Sequence, residues 1–275
     1  MKKLGAFGSD LGAVGCFFEQ PWSRVSPALE DADQAWLLHE AAFRLRALGR
    51  LTEALKPMRA GLEMRIKQLD WQNAAISASG LSDLVLTLGE IAGAVADAEQ
   101  SVIYADRSGD ADWHSYIETR TAHGDALYQW GRRSEAERRF REGEEMQSKR
   151  QPDYPWLYSI DGFEYCDLLL TEAERAAWQV SCSGGPRPPE AGDAHRATLQ
   201  SVSERAAQTI EWAMQRREAS HLDIALDHLT LGCSALYQAI LEGSSLDFCR
   251  APLQHAVDGL RHAGTQDYLP RGLLT

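Results

Sequence analysis

The sequence is poor in the residues from which most recognisable sites are built. Five cysteines in 275 residues (Cys16, Cys166, Cys182, Cys233, Cys249) show no C-x-x-C or C-x-x-C-H spacing. An odd and sparse set excludes a disulfide framework, suits a reducing compartment, and reads mostly as small core residues. Basic residues are also short: 28 Lys and Arg against 40 Asp and Glu give a net charge of -12 and a pI near 5.1. A phosphate-tracking surface is basic, so nucleic acid is excluded as a general partner, and anionic membranes are disfavoured for the same reason. No run approaches the ~20 apolar residues of a spanning helix, so a soluble, cytoplasmic chain is expected. The start, Met1-Lys2-Lys3 leading to Ala13-Val14-Gly15-Cys16, imitates a lipoprotein signal, but Ser9-Asp10 interrupts the apolar stretch. Leu4, Phe7, Leu11, Val14 and Phe18 recur instead at helical spacing, which predicts an N-terminal helix around residues 4 to 19 and no sheet anywhere.

What remains is an ordinary globular composition, 44% hydrophobic and 25% charged, organised as a repeat. Gly49, Ala54, Met58 and Gly61 are offset by five, four and three residues; Gly89, Ala94, Ala98, Ser101 and Gly131, Ala136, Phe140, Gly143 repeat those offsets, starting 40 and 42 residues further on. Weaker copies are Ser201, Ala206, Ile210, Ala213 and Ser244, Cys249, Leu253, Ala256. The glycine or serine fits a chain reversal after a helix. The next three positions share one face of a second helix, where small residues allow close approach and a larger one fills the gap.

First helices are expected at 31–48, 71–88, 111–130, 155–176 and 220–241, and second helices at 51–69, 91–107, 133–148, 196–217 and 245–263. Asp153 and Pro155 read as start signals of the fourth pair. The Gly- and Pro-rich stretch from Ser181 is expected to be a surface loop, an insertion at 181–194. The domains expected are an N-terminal helix and linker, 1–30, and a helical array, 31–275, ending in a truncated helix at 265–275. The absence of a polar capping helix points to a module of a longer polypeptide, or to self-association through the ends.

The helix-pair signature resembles the tetratricopeptide repeat, and Leu48-Gly-Arg-Leu-Thr-Glu-Ala54 and Trp130-Gly-Arg-Arg-Ser-Glu-Ala136 carry that family's G-R-x-x-E-A phrase. The resemblance implies an all-α, right-handed superhelical solenoid of about five tetratricopeptide-like helix pairs, with repeats longer than the family's usual 34 residues. Phe7-Gly-Ser-Asp-Leu-Gly-Ala, the run Gln34 to Arg50, Ala105-Asp-Arg-Ser-Gly-Asp110 and Gly162-Phe-Glu-Tyr-Cys-Asp-Leu-Leu-Leu170 look like the C-terminal repeats of bacterial NACHT or STAND-type signalling ATPases. That likeness implies a sensor or partner-recognition module. No G-x-x-x-x-G-K-[ST] is present, so the chain has no nucleotide site of that kind.

No catalytic constellation emerges, and the chain is read as a non-enzyme without cofactor or metal. The eight histidines include no H-E-x-x-H; His221 and His228, with Asp223 and Asp227 nearby, are better explained as polar helix surface. Gly8, Gly12 and Gly15 do not form a phosphate-binding G-x-G-x-x-G, and Cys182 lacks a fixed base.

The resemblance further implies that first helices line a concave groove. Counting seven residues back from each turn glycine aligns Ala42, Ser82 and Gly124 as the close-packed positions. The neighbouring offsets then assign His39, Phe43 and Arg46 to the groove in the first repeat, and Ser79, Asp83 and Thr87 in the second. The third contributes Thr121, Asp125, Tyr128 and Gln129. With Gly162 aligned to Gly124, the fourth contributes Ser159, Phe163 and Asp167. This polar set with aromatic anchors suits a protein or peptide partner. The alternative is a structural arm that regulates an attached ATPase or effector, with no groove ligand.

Overall fold

The computed structural model describes residues 6–109, 113–183, 191–215, 220–264 and 268–274, with the side chains of 191–194 excepted. Ten helices form the expected five pairs: α2 (Asp31–Ala47) with α3 (Leu51–Lys67), α4 (Trp71–Thr87) with α5 (Ile91–Ser108), α6 (Trp113–Gln129) with α7 (Arg133–Arg150), α8 (Ser159–Ser183) with α9 (Ala191–Gln215), and α10 (His221–Glu242) with α11 (Asp247–Ala263). A short α1 (Phe7–Gly15) precedes them and a five-residue α12 (Leu269–Leu273) follows. The fold is all-α and built from repeated helix hairpins. The helices gather into two compact units, α1 to α7 up to Pro155 and α8 to α12 from Trp156 onward.

The turn glycines explain the first three hairpins. Gly49, Gly89 and Gly131 have φ of 72, 86 and 81°, a left-handed backbone that side chains disfavour. Each closes its helix with the same two bonds. Gly49 N–H donates to Arg46 O and Arg50 N–H to Leu45 O, and Gly89/Glu90 and Gly131/Arg132 repeat this pattern on Leu86/Val85 and Tyr128/Leu127. These paired bonds satisfy carbonyls that the helix leaves open and turn the chain back.

The signature faces meet as the spacing requires. Ala54, Ala94, Ala136 and Phe140 are fully buried, and so are Ala42 and Ser82 of the first helices. Gly61 lies against Leu38, and Gly143 against Thr121. The Ser82 hydroxyl donates to Ala94 O at 2.8 Å, so a polar residue in a helix contact is satisfied across the hairpin. Burying a ring such as Phe140 stabilises by roughly 1.5–3 kcal/mol.

Several expectations are corrected. The N-terminal helix ends at Gly15, and Phe18–Gln20 pairs antiparallel with Arg24–Val25 as a small β ribbon, β1 and β2. Phe18 belongs to the apolar spacing but packs with Trp22, whose φ of 58° turns the ribbon. α1 and the ribbon supply Val14, Val25, Phe18 and Trp22 to a cluster with Leu37, Leu38 and Ala41 of α2. Pro155 is not in the first turn of α8, which begins at Ser159; the preceding segment folds back, bringing Leu157 O to where a Cβ on Gly162 would be, at 2.5 Å. Ser201 is not a turn residue, because α9 runs through it. Gly243, with φ 72°, makes the fifth reversal one residue before Ser244. Helix α8 extends to Ser183 and α9 begins at Ala191, so the expected loop of 181–194 shortens at both ends, and its residues 184–190 lie outside the described residues.

Helix α10 is long and apolar enough to cross a membrane by composition, against the expectation that no stretch is. Half of that stretch is buried within its own unit, where α10 packs on α8, α9 and α11.

Candidate functional site

In the first unit, the residues assigned to the groove come from α2, α4 and α6. They fall into two groups. His39, Arg46, Asp83 and Tyr128 are half-buried, and Thr87 and Gln129 are exposed. Arg46 Nη1 lies 3.3 Å from Asp83 Oδ2, so assigned positions at different offsets on α2 and α4 share one surface. Gln129 Nε2 donates to Asp125 Oδ1 at 3.2 Å along α6.

The second group is enclosed. Ser79 and Asp125 are buried, and Thr121 has no exposed surface. Thr121 packs its methyl towards Gly143 of α7 and donates its hydroxyl to Ile117 O and Glu118 O of its own helix. The expected open exposure of these three residues is corrected: Ser79 lies on a buried face of α4, and α6, which carries the other two, is packed by α4, α5 and α7 and so is buried over much of its circumference. Phe43 is half-buried and meets Phe7 of α1 edge-on, with centroids 6.0 Å apart. The N-terminal helix therefore lies beside the first-repeat positions, and Asp10 stands 3.9 Å from the Arg44 guanidinium.

Among the described residues, the one buried histidine lies on α6. His123 is buried, and its Nδ1 has no hydrogen-bond partner. Burial, reinforced by the nearby Arg139 and Arg132, pushes its pKa down to about 4, so it is neutral at pH 7.

In the second unit, the assigned residues separate further. Ser159 has a φ of 61° and donates to Asp223 Oδ1 at 2.6 Å, which makes it a junction between α8 and α10. Phe163 is buried in the core with Leu226, Leu229 and Leu260. Gly162, used for the alignment, packs on Leu157 and not on a second helix, which is why the fourth-repeat offsets mix junction, core and surface. Asp167 is half-exposed, and the Arg271 guanidinium approaches it at 4.0 Å.

Positions that sequence reasoning did not assign lie opposite on α10. Gly232 is the close-packed glycine of the fifth pair, since a Cβ there would meet Leu253 at 2.5 Å, as one on Gly124 would meet Phe140 at 2.9 Å. The same offsets counted from Gly232 reach Cys233 and Tyr237. Burial pushes the Tyr237 phenol upward, with Cys233, Glu174 and Asp167 adding to the effect and a hydrogen bond to Glu174 holding the proton. The signal was a glycine inside α10; counting back from Ser244 passes over it.

Asp227 is buried one turn from Asp223, and burial raises its pKa to about 7 despite a hydrogen bond from Thr209. His228 pairs with His255 at 5.1 Å between ring centroids, and burial followed by His255 lowers its pKa. Among the described residues, no group of three or more His, Cys, Asp or Glu side chains could hold a metal ion. Cys16 is exposed, unlike the core cysteine expected, while Cys182 is a surface thiol on α8 instead of in a loop.

No protein-family profile and no curated protein matches the chain. Among solved structures it is similar to the nearly identical TPR-like repeats described as those of a kinesin light chain of Podosopora anserina, at 16% identity and a TM-score of 0.46, covering 86% of this chain and 99% of that one. A variant of the same protein gives 15% identity, a TM-score of 0.47, and coverage of 84% and 96%.

Proposed function

We propose that the chain is a protein-interaction module of tetratricopeptide-like hairpins, taking a peptide or protein segment on its first-helix faces. The observation that carries this reading is the Arg46–Asp83 pair: side chains 37 residues apart in sequence meet because two of the assigned positions, the last on α2 and one a turn earlier in the repeat on α4, border one polar surface. Thr87 and Gln129 continue that set of positions as exposed residues, with Tyr128 as a flat, half-buried anchor. The setting we assign is cytoplasmic, within a signalling protein of bacterial NACHT or STAND type, with self-association through the helical ends as an additional mode of contact.

The test uses a partner captured from a lysate of the source organism and then purified. Thr87→Lys, Gln129→Lys and Tyr128→Ala should each weaken binding several-fold, while Glu63→Lys and Glu99→Lys, exposed on α3 and α5, should not. Equal losses from both sets would remove the first-helix assignment.

A second reading, a structural arm without a groove ligand, is favoured by the Phe7–Phe43 contact, in which the chain's own N-terminal helix engages one of the assigned anchors. It predicts that groove substitutions leave partner binding intact and change only the activity of an attached domain.

A further inference from the structure

Helix α12 has a seat of its own in the second unit. Tyr268 and Leu269 join the cluster around Phe163, Leu226, Leu229 and Leu260, and Gly272 approaches Leu260 so closely that a Cβ would stand 2.5 Å from its Cδ1. From there Arg271 reaches α8, with Nη1 4.0 Å from Asp167 Oδ2 and Cζ 5.4 Å from the centroid of Phe163. Helix α10 packs against both α8 and α11, so a segment that touches α11 and also reaches α8 spans the first-helix face of this unit.

We infer that this face is a receptor for an arginine-bearing apolar turn, that α12 is its occupant in cis, and that a partner segment of the same chemistry competes with it. The inference rests on the reading of first-helix faces as binding surfaces. A guanidinium is matched by a carboxylate at its edge and an aromatic ring at its face, which Asp167 and Phe163 provide one turn apart. Glu174 and the protonated Tyr237 extend the acidic and polar border, and the net charge of -12 favours the approach of a cationic segment. A five-residue helix cannot sustain itself, because helix nucleation is unfavourable at that length. Contacts with the face hold α12 in place, and a competitor offering the same contacts displaces it.

The probe is the acetylated and amidated peptide Tyr-Leu-Pro-Arg-Gly-Leu-Leu, the sequence of residues 268–274, titrated by calorimetry into the full chain. Wild type should bind it weakly, since the tethered copy competes at high effective concentration. Gly272→Leu collides with Leu260 and unseats α12 without altering Asp167 or Phe163, so peptide affinity should rise at least tenfold. Arg271→Ala, which removes the guanidinium and its methylene stem but leaves Gly272 seated, should raise it by a smaller factor. A peptide with citrulline in place of arginine, or Asp167→Asn added to Gly272→Leu, should return the affinity to the wild-type level or below. The inference is overturned if neither Gly272→Leu nor Arg271→Ala binds more tightly than wild type, or if the citrulline peptide binds as well as the arginine one. Should Gly272→Leu fail to fold, as judged by circular dichroism, the comparison of Arg271→Ala with wild type decides alone. Loss of this peptide effect with partner binding still sensitive to Thr87 and Gln129 would remove this inference and leave the wider proposal standing.

Discussion

Gly124 and Phe140 are in direct contact across the third hairpin: a Cβ added to Gly124 would lie 2.9 Å from the Phe140 ring, which is itself completely buried. Gly80, also inside a first helix, has only Met58 Cε nearby, at 3.7 Å. The two glycines therefore respond oppositely to alanine. Gly80→Ala should stabilise by up to about 1 kcal/mol through helix propensity, whereas Gly124→Ala should destabilise because the overpacking cost of ~1–3 kcal/mol exceeds that gain. Urea unfolding of both variants checks this, and stabilisation by both would mean that the hairpin is looser than this contact requires.

The small positions of the second helices give a related outcome. Ala54→Leu and Ala136→Leu should each lower stability by about 1–3 kcal/mol, because both residues are fully buried between helices. Unchanged melting temperatures in both would contradict the phasing of the repeat.

Leu69 occupies a left-handed position that the sequence did not mark. Its φ is 56°, it is 65% exposed, and its N–H and that of Asp70 close α3 on Ile66 O and Arg65 O just as the turn glycines close the first helices. Leu69→Gly should stabilise by up to about 1 kcal/mol by removing backbone strain, partly offset by the greater freedom of glycine in the unfolded chain. The converse, Gly131→Ala, places a Cβ at φ 81° and should cost about 1 kcal/mol. Chemical denaturation of the pair tests both signs.

Two buried groups give opposite pH dependences. Asp227 titrates near 7 in the folded chain against an ordinary value of 3.8, so its neutral form is favoured by folding, and stability is lost as pH rises from about 4 through 7. Its full effect is about 4 kcal/mol at most. Asp227→Asn should therefore melt higher than wild type at pH 8, with the advantage shrinking towards pH 4. His123 titrates near 4 against 6.5, so stability is lost as pH falls through that interval, and His123→Gln should show a shallower loss between pH 6.5 and pH 4. Thermal melts across pH 4 to 8 measure both slopes.

Helix boundaries were legible because turn glycines and buried small residues leave a local signature: α2, α3, α4 and α5 begin and end within two residues of the periodic pattern. The ribbon was not legible, since Phe18 continues the spacing of Leu11 and Val14 although it pairs with Val25. Ser201 was misread because a small residue in a continuous helix looks the same in sequence as one at a turn. For the candidate faces, spacing could align Asp83 with Asp125 but could not foresee that the first is half-exposed and the second enclosed, which depends on how many neighbours surround α6. Contacts such as Ser159 with Asp223, 64 residues apart, have no local signal at all.

The most direct test of the interaction reading is amide hydrogen exchange of the chain with and without its purified partner. The account predicts added protection in the first helices, on α4 and α6 around Thr87 and Gln129, with α3, α5 and α7 unchanged. Protection confined to those second helices, or to the chain ends, would contradict it.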